Sequence, residues 1–469
     1  MEAPRSGEEG CQEDGSEEVG ALGGSLGEAQ AAAGRELRSR RAVAAALEAV
    51  EAVGGGQALR LAVSTALKRS CGLGPKERRH VAATARGVVR WLRTCDAALA
   101  LARAPTSIPA DRALLRYVAF RIAVLGEPED EVLRPLALPG PRRPRVLSDG
   151  ALHEVARALP RPGASGPASV LPGGEPVRIA RDPTVALGLR YSVPDLFAQK
   201  LVEALGEAEA GCCLAALDRD PVMTLRVNVS RTGREALLAE LTGHGLRAEP
   251  GEDALAIRVA DRAGLFDSRA FRDGLFEVQD EGSQAVIAAC QATAGESWLD
   301  LCAGSGGKAL ALAGLGARVT AWDASARRLA ELPRRARRAR LAVTVARSLP
   351  ESLFDGVLVD APCSGSGALQ REPEARWRLD AQALPRLARV QDELIAQAAQ
   401  RVGGAGCLVY ATCSLFREEG EERVRAFLAN GSFTLELERR RWPHRDAGAG
   451  FYIARLRRAG LRLKLGNGR

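Results

Sequence analysis

The chain has almost no lysine: only Lys68, Lys76, Lys200, Lys308 and Lys464, with arginine supplying the rest of its 66 basic residues. None of its 10 cysteines forms a CxxC pair, and the four histidines, His80, His153, His244 and His444, are scattered. A structural zinc site has no place in that pattern, and no metal is expected. The longest apolar runs are broken by Arg, Gly or Pro well short of a membrane span, so no transmembrane helix is expected. The first residues, MEAPRSGEEGCQEDGSEE, are acidic and without an apolar core. They resemble neither a secretory signal nor an Arg-rich transit peptide. A cytoplasmic setting is the expectation, and there thiols stay reduced. Most of the cysteines then read as small buried hydrophobes.

What is present bounds the answer further. With 469 residues and 46% hydrophobic content, the chain can build two or three domains with proper cores. The net charge of +8 favours a polyanionic partner such as nucleic acid, although arginine dominance equally fits a GC-rich genome. Segment 1–33 has almost no large apolar side chains and reads as disordered. Segment 34–158 is helical by periodicity. In it Val81, Ala85, Val88, Val89 and Leu92 form one face behind Pro75, and Arg78, Arg79, Arg86, Arg90 and Arg93 crowd the other. That basic face is either solvated or binds phosphates through guanidinium forks. Segment 159–181 is a Pro/Gly linker.

Segment 182–290 reads as a small α/β module, with TLRVNVS and ALAIRV as strands and REALLAELTGHGL as an amphipathic helix. Segment 291–457 alternates strands and helices, which predicts a mostly parallel, Rossmann-like sheet. GFYIARLRR is expected as its last, antiparallel edge strand, and 458–469 as a tail. A basic helix in RRLAELPRRARRARL should break at Pro333. The fold class is therefore α/β: a Rossmann-like sheet preceded by a small α/β module and an all-helical N-terminal domain.

Two stretches carry the chemistry. FDGVLVDAPCSGSG, 354–367, and CLVYATCS, 407–414, are short apolar runs that each end in a polar turn with a cysteine. Buried parallel strands look like this, and open α/β sheets bind ligands at the carboxyl edge. Asp360, Cys363 and Cys413 can therefore share one site. Each cysteine alone reads as a buried thiol; together they suit thiolate addition to an electron-poor ring carbon. A nucleophilic thiolate needs a lowered pKa, which Lys308 or a helix start could provide. The turn Cys302, Ala303, Gly304, Ser305, Gly306, Gly307, Lys308 lets a ligand approach the backbone closely, and Asp323 at the next strand end can bind ribose hydroxyls. No phosphate-loop spacing is present. Turn and acid together suit an adenosyl ligand without phosphate; the alternative is a tight structural turn and a surface acid.

The set QDEGSQ (279–284), DLCAGSGGK (300–308), DAPCSGSG (360–367), REPEARW (371–377), the glycine pair 403–404 and YATCS (410–414) resembles the Sun/Fmu group of RNA cytosine-5 methyltransferases. RVN at 226–228 and GFYIARL at 450–456 fit the same pattern, and 34–158 is similar to the NusB-like RNA-binding domain of the bacterial small-subunit ribosomal RNA member. The resemblance implies S-adenosylmethionine as cofactor, held by 302–308, Asp323 and Asp360, and RNA as partner. It implies that Cys413 attacks carbon 6 of a cytosine. Asp360 would hydrogen-bond the ring's amidine edge, Cys363 would assist loss of the carbon 5 proton and enzyme release, and Lys308 would support the site. The base must be unstacked to be reached. A monomer is expected.

The sequence departs from the family at several places. Gly304–Ser305 replaces alanine–proline, Ala309 the threonine after the lysine, and Glu419–Gly420 the Glu-Asn after TCS. Arg347 or Ser348 stands where an acid ends the third strand. Rival readings are a binding or ribosome-assembly protein with a decayed cofactor site, a transfer-RNA cytosine-5 methyltransferase, and a DNA cytosine methyltransferase with Cys363 as nucleophile; the TCS motif argues against the last.

Overall fold

The computed structural model describes residues 39–104, 109–136, 149–159, 182–260 and 262–459. They fall into two compact units, 1–176 and 177–469. The acidic segment 1–33, most of the linker 159–181 and most of the tail lie outside the described residues.

In the first unit the described residues are helical: α1 (39–54), α2 (Leu59–Arg69), α3 (Pro75–Arg90), α4 (Leu92–Leu101), α5 (Pro109–Ala119), α6 (Glu129–Leu133) and α7 (Asp149–Ala158). Proline opens α3, where the missing amide hydrogen costs nothing. Val81, Ala85, Val88 and Val89 are fully buried. A single turn of π-helix, Phe120–Val124, extends α5. Phe120 presses on α3 at Gly87, where an added Cβ would stand 2.2 Å from the ring. The arginines of α3 and α4 do not form one solvated face. Arg78 and Arg79 are exposed, while Arg86, Arg90 and Arg93 are half-buried.

The second unit begins with α8 (Pro183–Arg190), α9 (Asp195–Leu205) and α10 (Glu207–Leu217). Then come β1 (Met223–Val227), α11 (Arg234–Gly243), β2 (Ala248–Pro250), β3 (Ala256–Val259), α12 (Arg269–Arg272) and β4 (Phe276–Val278). These strands make an antiparallel sheet in the order β2-β3-β1-β4. Next follow α13 (Glu281–Cys290), β5 (Ser297–Asp300), α14 (Gly307–Gly314), β6 (Arg318–Ala321), α15 (Ala326–Leu329), α16 (Leu332–Ala339), β7 (Val343–Val345) and β8 (Phe354–Asp360). The chain closes with α17 (Ala383–Ala399), β9 (Val402–Thr412), α18 (Glu421–Leu428), β10 (Phe433–Arg441) and β11 (Phe451–Arg458).

The seven-stranded sheet has the order β10-β11-β9-β8-β5-β6-β7, parallel from β9 to β7 and antiparallel at β11 and β10. Its central strands read as continuous apolar runs because both faces are buried. On β8 and β9, Leu358, Val409 and Ala411 enter one core, while Val357, Val359, Leu408 and Tyr410 enter the other. Gly356 is needed on β8: an added Cβ there would lie 2.4 Å from the Trp298 ring. After β5 the chain winds to β6 and β7 on one side, then returns to β8 and β9 on the other. The switch point between β5 and β8 opens a crevice at the carboxyl ends of those strands.

Two expectations need correction. GFYIARLRR is not the edge strand, because β10 covers it. β10 carries alternating charges and is largely exposed, as suits an edge that must not pair further. The second strand ends at Ala321, two residues before Asp323, and β9 runs on to Thr412. Residues 177–469 form one compact unit. α13 buries Val286, Ile287 and Cys290 in the large sheet's core. Phe197, Leu201 and Leu214 of the leading helices pack with Leu369, Leu384 and Phe416, the two phenylalanines edge-on at 5.2 Å. The break at Pro333 is found, with proline in the first turn of α16.

Candidate active site

The glycine turn between β5 and α14 brings backbone to the crevice. Gly304 (φ +53°) and Gly306 (φ +82°) adopt the left-handed conformation that favours glycine. Around Gly304 a Cβ would meet nothing within 4 Å, so the backbone there faces open space. Gly306 instead lies against Leu332, where a Cβ would come within 2.2 Å. Asp323 closes the turn from β6: its Oδ2 accepts from the Gly304 amide at 2.9 Å and its Oδ1 from the Ser325 amide at 2.8 Å. Open backbone at Gly304 and a carboxylate beside it fit the ribose end of an adenosyl group. After β7 stand exposed Arg347 and Ser348, with no acid.

The antiparallel sheet braces this turn from below. Arg226 on β1 is buried and donates to Gln279 Oε1 at 2.5 Å and to the Gly307 carbonyl at 2.8 Å. Burial draws its pKa down to about 10, which leaves it charged at neutral pH. Arg335 of α16 donates to the Ser305 carbonyl at 2.7 Å and hydroxyl at 3.0 Å, and pairs with Glu277 of β4 at 2.9 Å. Arg338 pairs with the same carboxylate. RVN and QDEGSQ contain Arg226 and Gln279, while Glu277 lies two residues before the second motif; the signal in the chain is a charged residue inside an apolar strand, Arg226 in TLRV and Glu277 in LFEV.

At the other wall, Lys308 in the first turn of α14 reaches across to β8. Its Nζ donates to Asp360 Oδ2 at 2.6 Å and lies 5.6 Å from the Phe451 ring centre. The two cysteine turns meet as expected: Cys363 Sγ and Cys413 Sγ are 3.3 Å apart, one thiol donating to the other. Asp360, Lys308, Cys363 and Cys413 therefore line one wall of the crevice. Cys302 is half-buried beside them, and burial pushes its thiol up.

Lys308 is committed to Asp360, and Cys363 lies in an extended loop rather than at a helix start. The contact with Cys413, reinforced by burial, holds the Cys363 thiol well above its ordinary value.

Asp300, at the end of β5, is fully buried, and among the described residues only the backbone amides of Cys302 and Ala309 face its carboxylate. Burial pushes its pKa up to about 7; Asp360 adds to the rise and Lys308 opposes it. The folded pKa lies above the unfolded value of 3.8, so this group penalises the fold as pH rises through that window. Asp300→Asn should therefore gain stability over the parent between pH 4 and pH 8, by about 2–4 kcal/mol at the upper end. Urea unfolding at both pH values checks this; a pH-independent difference would contradict it.

Residues 287–457 match the family model described as 16S rRNA methyltransferase RsmB/F, and residues 193–263 match an RsmF/B-like ferredoxin-like domain. Ribosomal RNA small subunit methyltransferase B of Serratia proteamaculans (strain 568) is 32% identical over 286 residues, 57% of this chain and 66% of that protein. The protein of the same name from Escherichia coli (strain SE11) is 30% identical over the same shares. The chain thus spans just under two thirds of these relatives' length. Among solved structures, PH0851 superposes with a TM-score of 0.71 at 24% identity, covering 89% of this chain and 98% of its own. A methyltransferase homologue from Pyrococcus horikoshii superposes with a TM-score of 0.54 at 24% identity, covering 60% of this chain and all of its own.

Proposed function

The chain belongs to the RsmB/F methyltransferase family over these two matched segments, and from that premise we propose that it methylates carbon 5 of a cytosine in RNA, ribosomal RNA first, through a covalent cysteine adduct. The observation that carries this reading is the contact of two thiols at 3.3 Å beside the Lys308–Asp360 pair, at the carboxyl edge of a methyltransferase sheet.

S-adenosylmethionine, held over Cys302–Lys308 and Asp323, supplies an electrophilic methyl carbon. The residues do the rest. Cys413, as thiolate, adds to carbon 6 of the cytosine, and the ring electrons move to carbon 5, the atom that takes the methyl group. Asp360 commits one oxygen to Lys308 and offers the other to the base's amidine edge, where charge changes as the adduct forms. Lys308 keeps that carboxylate aimed. The thiol protons of Cys413 and Cys363 pass to solvent; once carbon 5 carries the methyl group, the Cys363 thiolate takes the carbon 5 proton, the electrons of that C–H bond restore the 5,6 double bond, the carbon 6–sulfur bond breaks and Cys413 leaves as thiolate. The base must be turned out of its stack to meet both faces of the crevice. Excess positive charge favours the RNA backbone.

Labelled S-adenosylmethionine given to the wild-type protein with total RNA from methylation-deficient cells tests this. Label is expected at cytosine carbon 5 of small-subunit ribosomal RNA. Label confined to transfer RNA would move the substrate, and label on another atom would overturn the chemistry. A second reading, an RNA-binding protein without cofactor, is favoured by the exposed Arg347 and Ser348 where the family carries an acid. Equilibrium binding of S-adenosylmethionine to the folded protein separates the two.

A further inference from the structure

Among the described residues no side chain other than the partner cysteine hydrogen-bonds to either sulfur; the neighbours of both cysteines converge on one buried carboxylate. Glu419 is fully buried in the short turn after YATCS. Its Oε1 accepts from the Ser364 amide at 2.9 Å and from Gln391 Nε2 at 3.1 Å. Its Oε2 accepts from the hydroxyls of Ser364 and Ser414, each at 2.5 Å. Ser364 follows Cys363 and Ser414 follows Cys413, so one side chain holds the residue next to each sulfur. Gln391, also fully buried, donates to the Pro362 carbonyl at 3.0 Å, on the other side of Cys363.

The carboxylate is itself anchored. The Glu419 carbonyl accepts from Tyr410 Oη at 2.8 Å and Thr412 Oγ1 at 3.2 Å, which pins the turn to β9. Ser366 Oγ links to Ser414 Oγ at 3.2 Å and accepts from the Leu415 amide at 2.8 Å, and the Gly367 amide donates to the Cys413 carbonyl at 2.9 Å. Burying a carboxylate is costly unless donors surround it, and four do so here. A fold needing only to join two loops could do so with neutral groups. A charge in that place also bears on the nearer chemistry.

We propose that Glu419 is the positioning residue of the sulfur pair, locking the two cysteine turns in register and placing its charge beside Cys363 so that the two thiols are chemically unequal. This rests on the methyl-transfer reading above. It gives a task to a residue that touches neither base nor cofactor. The groups bearing on the Cys363 thiol are Cys413, Glu419 and, facing it from β9, the buried phenol of Tyr410. Removing the Glu419 charge makes Cys363 easier to deprotonate; loosening its bonds separates the sulfurs.

Glu419→Gln keeps the size and one acceptor. Single-turnover methyl transfer should fall about 100-fold, the cost of a misplacement near 1 Å. Binding of S-adenosylmethionine and of RNA should stay within about twofold, because neither ligand touches this side chain. Iodoacetamide alkylation, resolved by peptide mass spectrometry, should show Cys363 reacting at lower pH than in the parent. A purely structural role would move that profile equally in Ser364→Ala, which loosens the same turns and keeps the charge, so a larger shift in Glu419→Gln than in Ser364→Ala is the expected result. Ser364→Ala removes one hydroxyl from the same carboxylate and is expected to slow transfer about 10-fold, so the test survives if Glu419→Gln fails to fold. Transfer within about threefold of the parent in a folded variant, with an unshifted profile, overturns the proposal. If the parent itself transfers no methyl group to any RNA, the methyl-transfer reading fails, and the alkylation profile still decides for or against Glu419.

Discussion

Cys413→Ala should lose methyl transfer by about 10⁴-fold or more while keeping the fold and cofactor binding. The expectation follows from what alanine removes: the only group proposed to form a bond to carbon 6, without which carbon 5 is no nucleophile. Cys413 is half-buried at the end of a strand whose neighbours Tyr410, Ala411 and Thr412 are fully buried, so truncating one thiol leaves the sheet intact. Cys363→Ala should behave differently. The adduct still forms and still accepts the methyl group, but the proton on carbon 5 stays, and the enzyme remains joined to the RNA. Turnover then falls, by about 10³-fold, while denaturation-resistant protein–RNA complexes accumulate. Both rates come from filter binding of labelled RNA, and gels under denaturing conditions count the complexes. If complexes vanish in Cys363→Ala and persist in Cys413→Ala, the nucleophile is reversed.

Asp360→Asn is expected to lower the rate about 10²–10³-fold with little change in apparent RNA affinity. Asparagine keeps an oxygen for Lys308, which donates to Asp360 at 2.6 Å from a nearly buried position. It therefore preserves the geometry and removes the charge. An interaction that strengthens only as the adduct forms should appear in the turnover rate and not in ground-state binding. Lys308→Met, in contrast, frees Asp360 to rotate and should weaken both. Steady-state kinetics on a minimal RNA, with unfolding curves as a control, separate these outcomes; an Asp360→Asn enzyme with an intact rate would remove Asp360 from the chemistry.

Much of this architecture was legible in the chain. β8 and β9 announced themselves because both faces of a central parallel strand are buried, so FDGVLVD and CLVYAT read as unbroken apolar runs ending in polar turns. The meeting of Cys363 and Cys413 followed from that alone. β10 was missed for the opposite reason: at an edge, FTLELERRR must carry charge, and a charged alternation does not announce a strand. The packing of the helices of 183–217 was not legible, because their partners, Leu369, Leu384 and Phe416, come far later in sequence.

Glu419 was the hardest to see. It sits in the acidic run REEGEE, where every carboxylate looks solvated. In the folded chain Glu418 pairs with Lys200 and Glu421 with Arg440, while Glu419 alone turns inward and is fully buried. Burial of one charge among several depends on long-range packing; the motif position after TCS marks Glu419 but not its burial. The same holds for Asp300: as the acid that opens the glycine-turn motif it looked like a strand end. Its full burial appears only when β5 is enclosed.

The central claim is that Cys413 forms the bond to the base. The direct measurement is to trap the complex formed by Cys363→Ala with substrate RNA and S-adenosylmethionine, digest both polymers, and identify by mass spectrometry the residue that carries the nucleotide. A methylated cytidine adduct on the peptide containing Cys413 is the predicted result. An adduct on any other residue, or a folded and cofactor-bound protein that yields none, would contradict the account.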